Sequence, residues 1–140
     1  MAEPRYEEVG VGTRLPGLTH TLRRGDLVVY AGASGDFNPI HWSERAAAGA
    51  GLPAVVAHGM LTLGVALRVL TEWAGRDAVL ECATRFAAPV LVPDTDEGVE
   101  ITAGAVVSEK LGDGRVRVDL TVRCGGEKVL ARPRAVVRLR

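Results

Sequence analysis

The sequence predicts an α+β fold in which a curved antiparallel sheet wraps around a long, buried central helix. Three observations predict it. From Met60 to Trp73 apolar residues occupy nearly every side of the helical wheel, interrupted only by Thr62, Arg68, Thr71 and Glu72. A helix that is apolar all round must be surrounded. From Val99 onward the chain alternates with period two, the mark of half-buried strands. The chain has 140 residues, 47% of them hydrophobic, which suits one domain with a substantial core.

The elements follow in order. The opening "MAEPRYEEVGVG" is acidic and has no apolar region of the kind a secretory signal carries. Short strands are expected at about Val9 to Thr13 and Leu18 to Leu22. Leu27, Val28, Tyr30 and Ala31 share helical spacing, which predicts a helix from about Arg24 to Ala33; Arg23 is a poor N-cap for it. Pro39 disfavours the α region at Asn38, so Gly35 to His41 reads as a loop. Ser43 suits an N-cap for "SERAAAGAG", with Gly49 or Gly51 as its stop. The central helix follows. A long strand runs from about Ala78 to Val92 and stops at "PDTDEG".

In "VEITAGAVV", Val99, Ile101, Ala103, Ala105 and Val107 share one face. In "RVRVDLTVRC", Val116, Val118, Leu120, Val122 and Cys124 share one face, with Arg115, Arg117, Asp119, Thr121 and Arg123 on the other. Asp113-Gly114 lies between these strands and Gly125-Gly126 follows the second, both turn signals. The last strand covers about Lys128 to Leu139, with Pro133 at a bulge or an edge because proline cannot donate to the ladder. Four long strands then make an antiparallel meander. Such a sheet has an open edge. A dimer that pairs two sheets, or packs helices back to back, repairs it.

Composition narrows the function. Charged residues are 24% and the formal net charge is zero, so the chain is not compositionally disordered and lacks the basic balance that nucleic acid requires. Aromatic residues, at 4%, are too sparse for a base-stacking platform. Cys82 and Cys124 are not in a CxxC and read as small buried hydrophobes. The most apolar run, Ala54 to Leu67, contains His58 and is too short to span a bilayer. These features point to a cytoplasmic protein without membrane or nucleic-acid partners.

One constellation stands out. "SGDFNPIHW", Ser34 to Trp42, places Asp36, Asn38 and His41 in one loop, where the acid and the imidazole can converge and the amide can fix loop geometry. "AHGM" then places Gly59 at the start of the buried helix. Free N–H groups and the helix dipole there stabilise developing negative charge, and glycine lets a ligand approach closely. An acid, a histidine and a carbonyl-polarising N–H suit the addition of water to a double bond conjugated with a carbonyl.

"YAGASGDFNPIHW" with "AHGMLTLG" resembles the signature of the MaoC-like (R)-specific enoyl hydratases and dehydratases, which have the hot-dog fold. The resemblance extends over nearly the whole chain and looks closest to the single-hot-dog catalytic subunits of actinobacterial (3R)-hydroxyacyl-thioester dehydratases. It implies a hydro-lyase acting on trans-2-enoyl and (R)-3-hydroxyacyl thioesters of coenzyme A or acyl carrier protein, with no cofactor and no metal. Asp36 and His41 would be the catalytic pair and the Gly59 N–H would bind the thioester oxygen. Asn38 would support the loop. Apart from the resemblance, Ser34 and Gly35 are expected to shape that loop, and His58 to be a hydrogen-bonded structural residue that steadies the helix entrance. A homodimer, or a heterodimer with a paralogous hot-dog subunit, is implied. Some relatives carry a serine further along the central helix; Gly64 and Leu67 stand in that region here. Two rival readings are a hot-dog acyl thioesterase and a non-catalytic, stabilising subunit. The first needs an acid on the central helix or a neighbouring loop, and the helix's only acid, Glu72, is at its far end. The second typically lacks the acid–histidine pair that this chain has.

Overall fold

The computed structural model describes residues 2–140. It contains strands β1 (Leu18–Leu22), β2 (Val79–Phe86), β3 (Val99–Gly112), β4 (Arg115–Cys124), β5 (Glu127–Lys128) and β6 (Leu130–Arg138). Its helices are α1 (Arg24–Ser34), α2 (Glu44–Gly49) and α3 (Gly59–Ala74). The strands form one antiparallel sheet in the order β1-β3-β4-β6-β2, with β5 paired to β4. Helix α3 lies against β3, β6 and β2.

The β3–β4 hairpin forms where alternation and turn chemistry agree. Asp113 and Gly114 both take positive φ, 54° and 73°, which matches the right-handed twist of the flanking strands. Ile101, Ala103 and Val107 of β3 and Val116, Val118, Leu120 and Val122 of β4 are buried, as the alternation predicts. They share one core with Val65, Ala66, Val69 and Leu70 of α3. Helix α1 begins at Arg24 despite its weak N-cap because Asp26, three residues on, accepts the Arg23 backbone N–H at 2.8 Å. That is the half of a capping box an arginine N-cap allows. Ser43 caps α2 as expected, its Oγ accepting the Ala46 N–H at 3.1 Å.

Several expectations need correction. The sheet is not a sequential meander: β2 pairs only with β6, at the edge opposite β1. Alternation marks which face is buried but not which strands are neighbours. Strand β2 ends at Phe86, and Ala87 to Val92 leaves the sheet. There the Val92 N–H donates to the Val55 carbonyl (2.9 Å) and the Val90 carbonyl accepts the Ala57 N–H (2.8 Å). Residues Val9 to Thr13 form no strand; they follow β3 through single bonds such as Gly12 N–H to Val107 O, 2.8 Å.

The last strand is two pieces; Pro133 sits at a register shift between β2 and β6, the bulge that is one of the two settings expected for it. Arg132 beside it has φ 48°, so the bulge takes up the proline inside the sheet. Helix α3 is not enclosed on all sides, since Met60, Gly64, Arg68 and Glu72 form an exposed stripe. Cys82 and Cys124 are free thiols that are half-buried rather than buried. No helix among the described residues is long and apolar enough to cross a membrane.

Candidate active site

The loop after α1 is built by its own side chains. Gly35 closes α1 in the left-handed region (φ 76°), its N–H donating to Ala31 O at 2.9 Å. Ser34 Oγ then accepts the Asp36 N–H, Asp36 Oδ1 accepts the Asn38 N–H, and Asn38 Oδ1 accepts the Ile40 N–H, each at 3.2 Å. Three bonds from side chain to the backbone two residues on fold the segment tightly. Pro39 to His41 follow as one turn of 3-10 helix, capped by Asn38. The structure thus brings together Ser34, Gly35, Asp36, Asn38 and His41 as expected. It also shows why the polar residues recur at every second position.

Asp36 divides its two oxygens between two tasks. Oδ1 holds the turn, and Oδ2 faces His41 Nε2 at 3.8 Å. His41 is 8% exposed. Its Nδ1 lies 2.6 Å from the Val56 carbonyl, which can only accept, so Nδ1 carries a hydrogen and, in the neutral ring, Nε2 presents a lone pair. That tautomer gives a base directed at the space beside the carboxylate.

The second half of the site comes from the segment before α3. Val56 N–H donates to Ile40 O (3.2 Å), and the Val55–Ala57 stretch is held on its other side by Val90 and Val92. This places Gly59 at the first position of α3, where its N–H has no partner within the helix. A Cβ at Gly59 would sit 2.8 Å from the Phe86 ring, so glycine here also meets a packing requirement. His58, just before it, is 2% exposed and stacks on His41, with ring centroids 3.8 Å apart and planes at 22°.

Asp36, His41, His58 and Gly59 line one cavity of about 550 Å³. Its other walls, including Phe86, Pro89, Val90 and Leu130, are mostly apolar. That suits an acyl chain beside a small polar centre. The wall from Ala87 to Val90 was missed because its apolar run continues the period of β2. Tyr30, edge-on to His58 at 4.7 Å, and Thr62, 3% exposed, also line the cavity or its polar centre and had no signal beyond helical spacing.

Asp36, His41 and His58 offer ligand atoms within 4.8 Å of one another. The two imidazoles are stacked, however, and a lone pair lies in its ring plane. Nearly parallel planes do not converge on one ion, so the donor set does not fit a metal.

A sheet wrapped around one central helix is the hot-dog fold, and here it carries an acid–imidazole pair near the helix N-terminus. The sequence matches the MaoC-like domain model over residues 10–123, and the chain belongs to that family. It is 37% identical over 120 residues to 3-hydroxybutyryl-CoA dehydratase of Methylorubrum extorquens, covering 81% of this chain and 74% of that protein. It is 45% identical over 94 residues to 3-hydroxyacyl-thioester dehydratase X of Mycobacterium tuberculosis, covering 67% of this chain but 29% of that longer protein. A solved MaoC-like dehydratase superposes with a TM-score of 0.92 at 39% identity, over 99% of this chain and 43% of that one. The chain therefore spans under half the length of two of these three relatives.

Proposed function

We propose that this protein is a hydro-lyase that interconverts trans-2-enoyl thioesters and (R)-3-hydroxyacyl thioesters. The observation that carries the reading is the facing pair itself: a carboxylate oxygen and an imidazole nitrogen 3.8 Å apart, in a cavity that Gly59 also lines. The names of the relatives and the family match support it.

In the hydration direction, one water sits between Asp36 Oδ2 and His41 Nε2. Asp36 accepts a hydrogen bond from one of its hydrogens, and His41 takes the other as a proton. The oxygen bonds to C3, the C2–C3 π pair moves toward the carbonyl, and the enolate oxygen accepts a hydrogen bond from Gly59 N–H. The proton on His41 then passes to C2 on the same face. One water has been added, and His41 is neutral again. Dehydration is the reverse. Ser34, Gly35 and Asn38 keep the loop folded around this pair, and the substrate is an acyl thioester of coenzyme A or acyl carrier protein. The (R) handedness follows the resemblance of the loop motif to the (R)-specific enzymes.

The protein acts as a homodimer in this reading. Edge strand β2 has one unpaired side and exposes Leu80 (46%) and Phe86 (56%). Phe86 also lines the cavity, so a second copy at that edge would help to close the site. The test is to follow enoyl absorbance and free thiol together on enoyl-coenzyme A substrates of graded length, with product chirality read out. Loss of absorbance without thiol release, giving (R) product, is expected. Thiol release, (S) product, or no turnover at any length overturns the proposal.

A further inference from the structure

The Nε2 of His58 lies 3.0 Å from the backbone carbonyl of Asp36. A carbonyl only accepts, so His58 donates from Nε2, and in the neutral ring its Nδ1 carries a lone pair. That Nδ1 is buried and has no hydrogen-bond partner among the described residues. A buried acceptor without a donor costs stability. A leucine or methionine would fill the position without that cost, so packing alone does not explain an imidazole.

The same ring touches both members of the proposed catalytic pair by different means. Its edge holds the Asp36 backbone, and its face holds the plane of His41. The bond from His41 Nδ1 to Val56 O fixes one point of the His41 ring but not its tilt about that point. The stacked His58 supplies the missing constraint. His58 is itself seated as the N-cap of α3 and buttressed edge-on by Tyr30 of α1.

We infer that His58 is a positioning residue that sets the separation and aim of Asp36 Oδ2 and His41 Nε2. It contributes to turnover through those two groups. This rests on the hydratase reading above, and it assigns the His of "AHGM" a task beyond steadying the helix entrance.

The two contacts can be removed separately. Gln places an amide N–H near the Nε2 position and keeps the bond to Asp36 without the ring. Phe keeps the stacked ring without the donor. Leu removes both. Misplacement of reacting groups by about 1 Å costs on the order of 100-fold. His58→Leu is therefore expected to lower kcat about 100-fold with KM within about twofold of wild type. His58→Gln and His58→Phe should each recover part of that loss, with all three variants melting cooperatively. If His58→Leu does not fold, the Gln and Phe variants decide, because each must still turn over more slowly than wild type at unchanged KM. Wild-type kcat in the variants, a change confined to KM, or a loss that only tracks the folded fraction overturns the inference. A wild-type protein without hydratase turnover would instead overturn the proposed function.

Discussion

Asp36→Asn separates the chemistry of the site from its architecture. The asparagine can keep the turn, because its amide oxygen can accept the Asn38 N–H in place of Oδ1, while the bonds made by the Asp36 backbone to Ser34 and His58 do not involve the side chain. The carboxylate is 52% exposed, so its loss should change stability by about 0.5 kcal/mol or less. Catalysis loses more. An imidazolium formed 3.8 Å from the carboxylate is stabilised by about 1 kcal/mol in a water-like dielectric and about 4 kcal/mol at an effective dielectric of 20. Half-exposure argues against the upper end, but the amide also brings an N–H toward the Nε2 lone pair and would cap the base. A fall in kcat of about 100- to 1,000-fold is expected, within the usual span for general acid–base groups. Enoyl absorbance gives kcat and KM, and a thermal melt gives stability. A kcat within tenfold of wild type in a protein that melts normally would refute the reasoning.

Other consequences can be checked together. Gly59→Ala should fold with a small loss of stability, since the new Cβ would meet the Phe86 ring at 2.8 Å and that ring, the far end of a flexible side chain, must shift to admit it. Because the methyl crowds the approach to the N–H, kcat/KM should still fall at least tenfold in the same absorbance assay. Burial pushes the Cys82 and Cys124 thiols above their usual 9.0, and the Glu127 carboxylate adds to the rise at Cys124. The folded state therefore keeps these protons when the unfolded chain loses them. Their contribution is whole below about pH 9 and declines as pH climbs through the folded values, so urea midpoints should drop between pH 8 and pH 10, and less so in a Cys82→Ala, Cys124→Ala double variant. Leu80→Arg places like charges at the β2 edge of two copies, and light scattering should show the mass fall from about twice 14.8 kDa to one copy.

The parts of the fold that could be read from the chain were those where one local rule decided the outcome. Val116 to Cys124 alternates against a core, and Asp113-Gly114 turns it, so β3 and β4 stand where alternation puts them. Asn38-Pro39 could not continue a helix, so the loop was legible too. The errors arose where neighbours decide. Val90 and Val92 continue the period of β2, yet they bond to Val55 and Ala57, which come from a different part of the chain. Met60 and Gly64 are as apolar as the rest of α3, but no strand among the described residues covers them.

The site shows the same division. Ser34, Asp36 and Asn38 are joined by bonds two residues long, which a motif can record. The stacking of His58 on His41 and the bond from His41 to Val56 join residues 17 and 15 positions apart, and only the packing of α3 against the loop creates them.

In the proposed reaction the facing pair adds one solvent water to C3 of an enoyl thioester and leaves the thioester intact. Incubating the protein with a trans-2-enoyl-coenzyme A in ¹⁸O-water and analysing the product by mass spectrometry tests this directly. The expected product is a 3-hydroxyacyl-coenzyme A carrying a single ¹⁸O, located on the C3 hydroxyl. Label appearing instead in a free carboxylate, with coenzyme A released, would contradict it and identify the cavity as a site of hydrolysis.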